Sequence, residues 1–251
     1  MSVEEIAEEW DLTLGEPYAP GADGATLRAE LSDGTPAVLK VPNLHRENEQ
    51  EADALERWNG NGAVRLLQRH ESGALLLERA EPGTLLSEGA DDPIGVVIGL
   101  LPRLWVDPSG FHTLEDEVAW WLEDGDLSRM APGRLRDVAI ALAQELAPTQ
   151  GELVLCHQDL HGDNVVAAER EPWLVIDPKP LAAEREFAVA PIVRSGELGH
   201  SKRDVLYRLD RLCSELGLDR ERARGWTIVQ TMAWMEGDGA ARRTEVVEWL
   251  R

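Results

Sequence analysis

The pattern of apolar residues changes character once along this chain, at Glu81-Pro82-Gly83-Thr84, and that change limits the folds open to it. Before it, short β-prone runs fall over residues 26–31, 36–41, 64–69 and 74–78, with the turn signal Ser32-Asp33-Gly34-Thr35 joining the first two as a hairpin. One helix interrupts them, predicted over 47–58 from the spacing of Ala52, Leu55 and Trp58 and ended by Gly60 and Gly62. Beyond the turn the period becomes helical. Helices are predicted over 114–123, opened by Thr113, and 134–146, closed by Pro148, then over 201–216, 220–236 and 240–250. Two strand-like runs, 153–156 and 173–176, break that series. Strands followed by helices make an α+β chain of two packed units, here residues 1–80 and 81–251, with a ligand cleft expected between them.

Charge narrows what such a cleft binds. The chain has 251 residues, with 25 Lys plus Arg against 47 Asp plus Glu, so its formal charge is 25 − 47 = −22. A field of that sign repels phosphate backbones and anionic lipid, so neither nucleic acid nor a membrane surface is an expected partner. Cys156 and Cys213 fit no disulfide framework or zinc spacing. The first ten residues carry four glutamates and no basic segment, and the apolar stretch over 94–101 is too short to span a bilayer. A cytoplasmic protein is the expectation, and oligomeric state is left open.

The segment His157-Gln158-Asp159-Leu160-His161-Gly162-Asp163-Asn164, entered from an apolar strand, carries the most chemistry. It has the form H-x-D-L-x-x-x-N of a kinase catalytic loop, in which the Asp takes or orients the proton of the attacking hydroxyl and the Asn is a magnesium ligand. A second apolar strand, Trp173-Leu174-Val175-Ile176, ends at Asp177, thirteen residues after Asn164. A hairpin returns Asp177 to Asn164, pairing two hard oxygen ligands for magnesium. In the first unit Lys40 ends a strand and Glu51 lies on the next helix, the arrangement of the kinase lysine–glutamate pair, with Glu47 as its rival. The turn Ala19-Pro20-Gly21-Ala22-Asp23-Gly24-Ala25-Thr26 is a weak candidate for covering phosphates.

From about Ala37 onward the sequence resembles the aminoglycoside phosphotransferase group, specifically its streptomycin 6-phosphotransferase and hydroxyurea phosphotransferase type. The resemblance is carried by Val38-Leu39-Lys40-Val41-Pro42, Glu51-Ala52, Trp58-Asn59-Gly60-Asn61-Gly62-Ala63-Val64-Arg65-Leu66-Leu67, Leu75-Leu76-Leu77-Glu78-Arg79, the two catalytic segments, and Gly217-Leu218-Asp219 with Gly225-Trp226. It implies a bilobal protein-kinase-like fold, ATP in the cleft with its adenine against the hinge between Glu78 and Ala80, and Lys40, assisted by Glu51, on the phosphates. It further implies Asp159 as catalytic base, Asn164 and Asp177 as ligands of Mg2+, and transfer of the γ-phosphoryl group to a hydroxyl of a small molecule.

The chain also departs from that family. Gln158 and Pro180 stand where the family usually has Gly, and Phe187-Ala188 where it has Tyr-Asp, the aspartate that helps buttress the catalytic loop. These departures keep a second reading alongside the kinase, a nucleotide-binding protein that acts through a partner without catalysis. Streptomycin-like aminocyclitols, hydroxyurea and an unrelated metabolite all remain open as acceptor. His157 is expected to brace the loop through hydrogen bonds, Lys179 to make an ion pair or to reach the transferred phosphate. Trp226, Trp234, Glu236 and Asp238 are expected either to line the acceptor pocket or, for the tryptophans, to fill the core.

Overall fold

The computed structural model describes residues 2–18, 24–131, 133–235 and 239–251. The first lobe is a five-stranded antiparallel sheet flanked by two helices. Helix α1 (Val3–Glu9) is opened by a Ser2/Glu5 capping box. Strands β1 (Thr13–Pro17), β2 (Gly24–Glu30) and β3 (Pro36–Pro42) precede helix α2 (Glu51–Trp58), and β4 (Leu66–Arg69) and β5 (Leu75–Glu78) complete the sheet in the order β1-β2-β3-β5-β4. Alternation decides what each face meets. Ala37, Leu39, Ala74 and Leu76 pack with Ile6 and Ala7 of α1 on one face, while Leu75 and Leu77 join Leu55 and Trp58 of α2 in the main core. Val38 and Lys40 fall on the second face by the same period.

The sheet of the first lobe ends at Glu78, and the next strand pairs elsewhere. Strand β6 (Pro82–Leu85) is followed by helices α3 (Pro93–Leu104), α4 (Leu114–Glu123) and α5 (Arg134–Leu146), then strands β7 (Leu153–Cys156), β8 (Val165–Ala168), β9 (Trp173–Val175) and β10 (Leu181–Glu184). Helices α6 (Lys202–Leu216), α7 (Arg220–Ala233) and α8 (Ala240–Leu250) close the chain. The strands form two small antiparallel sheets, β10-β7 and β6-β8-β9. Helix α7 sits deepest, its residues Trp226 to Ala233 all buried, packed on α5 and α8. No helix among the described residues is long and apolar enough to cross a membrane.

Several expected elements shift. The helix expected over 47–58 begins only at Glu51, because Asn48 turns its side chain on the backbone, accepting from His45 N at 2.9 Å and donating to Asn43 O at 3.1 Å. Glu81-Pro82-Gly83-Thr84, read as a turn, contains the start of β6, which pairs with β8. Proline is tolerated there because it begins a strand at the edge of its sheet. The helix expected over 220–236 stops at Ala233, and Glu236 and Asp238 lie outside the described residues. Strands β1, β8 and β10 and helices α1 and α3 had no such reading in the sequence.

A buried carboxylate ties β10 to α7 and to the start of β7. Glu184 is 2% exposed and accepts from Trp226 Nε1 at 2.5 Å, Arg222 Nη2 at 2.7 Å and Gly151 N at 2.9 Å. Its removal leaves a buried indole N–H and a guanidinium without their acceptor. Glu184→Ala is expected to lower the unfolding free energy by about 3 kcal/mol, the scale for losing one partner of a buried pair, read as a shift of the urea midpoint at constant slope.

Candidate active site

Between the sheet of the first lobe and the β6-β8-β9 sheet lies a cavity of about 310 Å³. Lys40, Glu51, Glu78, Ala80, Asn164 and Asp177 all line it, and Val38, Val64, Leu77, Val166 and Ile176 give it apolar walls. Gly24 borders it where β2 meets β3, at φ +126°, and a Cβ there would stand 2.3 Å from Val41 O. Residues 19–23, the rest of the turn proposed to cover phosphates, are outside the described residues.

Lys40 is the electrostatic centre. It is 8% exposed, its Nζ is 2.6 Å from Glu51 Oε2, and it also contacts Asp177. Burial opposes its charge, but Glu51 and Asp177 together outweigh burial and raise its pKa. Burial likewise pushes against ionisation of Asp177, and the Lys40 ammonium prevails and keeps that carboxyl below its usual range. Glu47, the rival partner, belongs to a different neighbourhood: burial raises its pKa, Lys179 opposes that rise and Glu117 adds to it.

The loop that carries Asp159 is fixed through its backbone. His157 Nε2 donates to Ile176 O at 2.9 Å, Lys179 N donates to His157 O at 3.0 Å, and Ile176 N donates to Asn164 O at 3.0 Å. These bonds and the β8–β9 register, Val165 opposite Val175, bring Asn164 and Asp177 to one end of the hairpin. Asn164 Nδ2 donates to Asp159 O at 2.8 Å, which leaves the amide oxygen for another donor or a cation. The donor set fits magnesium: one amide oxygen and one carboxylate on the cavity wall, both hard ligands.

Asp159 does not line the cavity. Its carboxylate faces Lys179 Nζ at 3.4 Å and Arg194 Nη2 at 3.9 Å, and both cations lie over the ring of Trp234, at 5.3 and 5.1 Å from its centroid. Trp226 does not join them; it is fully buried with its ring edge-on to Phe187 at 5.6 Å. His161 Nδ1 is 3.1 Å from Glu197, whose carboxyl is driven down to about 2 against the opposing effect of burial by His161 and Ser195.

The chain and its fold have known counterparts. A model of the family described as aminoglycoside/hydroxyurea antibiotic resistance kinase matches residues 16–239. The chain belongs to that family. A hydroxyurea phosphotransferase of Kitasatospora aureofaciens is 41% identical, over 94% of this chain and 73% of its own length. A streptomycin 6-kinase of Streptomyces glaucescens is 38% identical, over 95% of this chain and 83% of its own. In fold, the chain is similar to a thermostable mutant of the aminoglycoside phosphotransferase APH(4)-Ia in ternary complex with ADP and hygromycin B, with TM-score 0.72, 14% identity and 99% of each chain covered. It is similar also to the choline kinase LicA of Streptococcus pneumoniae, with TM-score 0.70, 15% identity, and 98% of this chain and 96% of that one covered. The expected protein-kinase-like fold with a small β-rich lobe and a larger helical lobe is thus the observed one.

Sequence reasoning passed over several residues that shape this family's cleft in the present chain. Arg170, in the β8–β9 turn, forks onto Glu78 at 2.7 and 2.8 Å and reaches Gly60 O and Ala63 O at 2.8 and 2.9 Å. The Glu78 carboxylate is therefore engaged in joining the lobes. Arg194 beside Asp159 was missed too. In a chain whose 25 basic residues include only three lysines, an arginine carries no local distinction, whereas Lys40 does.

His157 is sealed between the lobes, its ring stacked on Trp58 with centroids 6.1 Å apart and planes 15° from parallel. Burial pushes its pKa down to about 4, so it is a neutral brace at neutral pH. Because the unfolded chain binds a proton near pH 6.5 and the folded one near 4, protonation favours unfolding within that window. The stability advantage of the parent over His157→Asn is expected to be full above pH 6.5 and to shrink as pH falls toward 4, by on the order of 3 kcal/mol. Paired urea titrations at pH 7, 5.5 and 4 measure it, and a constant difference would contradict the buried neutral imidazole.

Proposed function

We propose that this chain is an ATP-dependent kinase that transfers the γ-phosphoryl group to a hydroxyl of an antibiotic-like small molecule, a streptomycin-like aminoglycoside or hydroxyurea. The observation that carries the reading is the buried Lys40, held between Glu51 of α2 and Asp177 of the β8–β9 hairpin at the wall of the cleft between the lobes. The names of the relatives supply the acceptor class. Both curated relatives are phosphotransferases or kinases in name, which favours catalysis over the partner-binding alternative.

The division of labour follows from where each group stands. Lys40 offers a full positive charge to phosphate oxygens, and Glu51 keeps it ionised and aimed while burial works against it. The apolar walls Val38, Val64, Leu77 and Ile176 accept a flat ring beside Ala80 and exclude water from it. Asn164 and Asp177 would hold Mg2+, which supplies neutralisation of the phosphate charge. Asp159 accepts the hydrogen bond of the incoming hydroxyl and orients it, with Lys179 and Arg194 fixing the carboxylate from two sides. The acceleration then comes from positioning and charge stabilisation, without a covalent phosphoenzyme.

Incubation of the protein with ATP, magnesium and either streptomycin or hydroxyurea is expected to consume ATP and to add one phosphoryl group to one of them, seen by mass. Asp159→Ala should keep parental ATP affinity by calorimetry while transfer falls by roughly 10³-fold, within the usual range for a general base. Lys40→Ala should raise the KM for ATP by ~10-fold or more, since a charged contact to phosphate is lost. Equal loss of ATP binding and transfer in Asp159→Ala would assign that residue to the architecture of the site, and unchanged ATP kinetics in Lys40→Ala would refute the nucleotide assignment.

A further inference from the structure

Gln158, immediately before Asp159, adopts a left-handed backbone with φ +61°. A residue with a Cβ pays on the order of 1 kcal/mol for that conformation, so a neighbour must hold it there. The Asp159 N to His157 O bond of 2.8 Å closes the turn around it, and a second hold comes from α7. Gln230, fully buried, donates from Nε2 to Gln158 O at 2.7 Å. Thr227 and Thr231, buried on the same helix, spend their hydroxyls on carbonyls of their own turns, whereas Gln230 reaches out to the loop.

The other end of the same amide also bears on Asp159. Gln230 Oε1 lies 3.5 Å from Arg194 Nε, and Arg194 Nη2 stands 3.9 Å from Asp159 Oδ1. An amide has one accepting and one donating end, so the arginine dictates its orientation: oxygen toward the guanidinium, nitrogen toward the Gln158 carbonyl. A reversed amide would set N–H against N–H and oxygen against oxygen. Gln230 thus reaches both the backbone leading into Asp159 and the cation facing its carboxylate. Ala188, buried at 3% exposure, carries no polar side-chain group with which to support the loop.

We propose that Gln230 is the positioning residue for Asp159, clamping the left-handed Gln158 and Arg194 so that the carboxylate is aimed at the acceptor hydroxyl. This rests on Asp159 being the group that orients the nucleophile. Gln230 is fully buried and does not line the cleft, so its loss is expected to act on kcat and to spare binding.

The test uses Gln230→Ala, Gln230→Glu and the double variant Gln230→Ala with Gln158→Gly. Glutamate keeps the size of the side chain and still accepts from Arg194, but its carboxylate has no proton to give Gln158 O. Both single variants are expected to lose kcat by ~10- to 100-fold, the scale of a misplacement of about 1 Å, with KM for ATP and acceptor within about twofold of the parent. Gln158→Gly in the Gln230→Ala background should recover most of that loss, because glycine takes positive φ at no steric cost. In an Asp159→Ala background, Gln230→Ala should cost nothing further.

A lower melting temperature with unchanged kcat in the folded variants would overturn the assignment, as would a double variant no faster than Gln230→Ala. Absence of transfer to either acceptor in the parent would overturn the acceptor reading instead. The same comparison then runs on acceptor-free hydrolysis of ATP, where Asp159 faces water. An equal fall in that rate supports the clamp, and an unchanged rate overturns it.

Discussion

A buried ammonium is costly unless carboxylates meet it, and Lys40 meets two from different parts of the chain. Glu51 comes from the helix after β3 and Asp177 from the far side of the cleft, 137 residues on. Satisfying this one charge therefore fixes the height of α2 over its sheet and draws the β8–β9 hairpin against the first lobe. Asn164 and the loop ahead of it follow, since Ile176 N and Asn164 O are bonded and Asn164 in turn holds the carbonyl of Asp159. The cleft proposed to hold the nucleotide is what remains around that contact.

The same contact describes how the site is poised. Lys40 and Asp177 are partners here, although the proposed chemistry sends one to phosphate and the other to a cation. Each favours the ionised form of the other despite burial, so both would be charged on meeting the proposed nucleotide and metal. Around them, rigidity comes from neutral or fully paired groups. His157 is an uncharged brace, Arg170 and Glu78 neutralise each other between the lobes, and Glu184 anchors α7 beneath the loop. The groups the reaction would use, Lys40, Asp177 and Asp159, each face an opposite charge as well.

Much of the site was legible in the sequence because it is built from short-range spacing. Five residues from Asp159 to Asn164, a strand ending at Asp177, and a strand lysine followed by a helix glutamate are patterns that one loop, one hairpin and one sheet-to-helix step dictate. The choice between Glu47 and Glu51 was less visible. It turned on whether residues 47–50 are helical, and Asn48 settles that by bonding its side chain to neighbouring backbone. Strand β8 was invisible because Val165 to Ala168 is a brief apolar run whose strand character comes from β6 and β9 on either side.

By itself the sequence determined the order of a β-rich and a helical part, the acidic balance of the chain, and the choice of Lys40, Asp159, Asn164 and Asp177 as candidate site residues. Local periodicity, charge counting and motif spacing need no partner distant in the chain. Tertiary structure alone decided that Glu78 spends its carboxylate on Arg170, that Trp226 fills the core while Trp234 carries Lys179 and Arg194, and that Gln230 holds the backbone before Asp159. Each of these is a contact across dozens of residues between common side chains. Their roles come from the direction in which a buried donor or acceptor is forced to look for its partner, and that direction exists only once the lobes have packed.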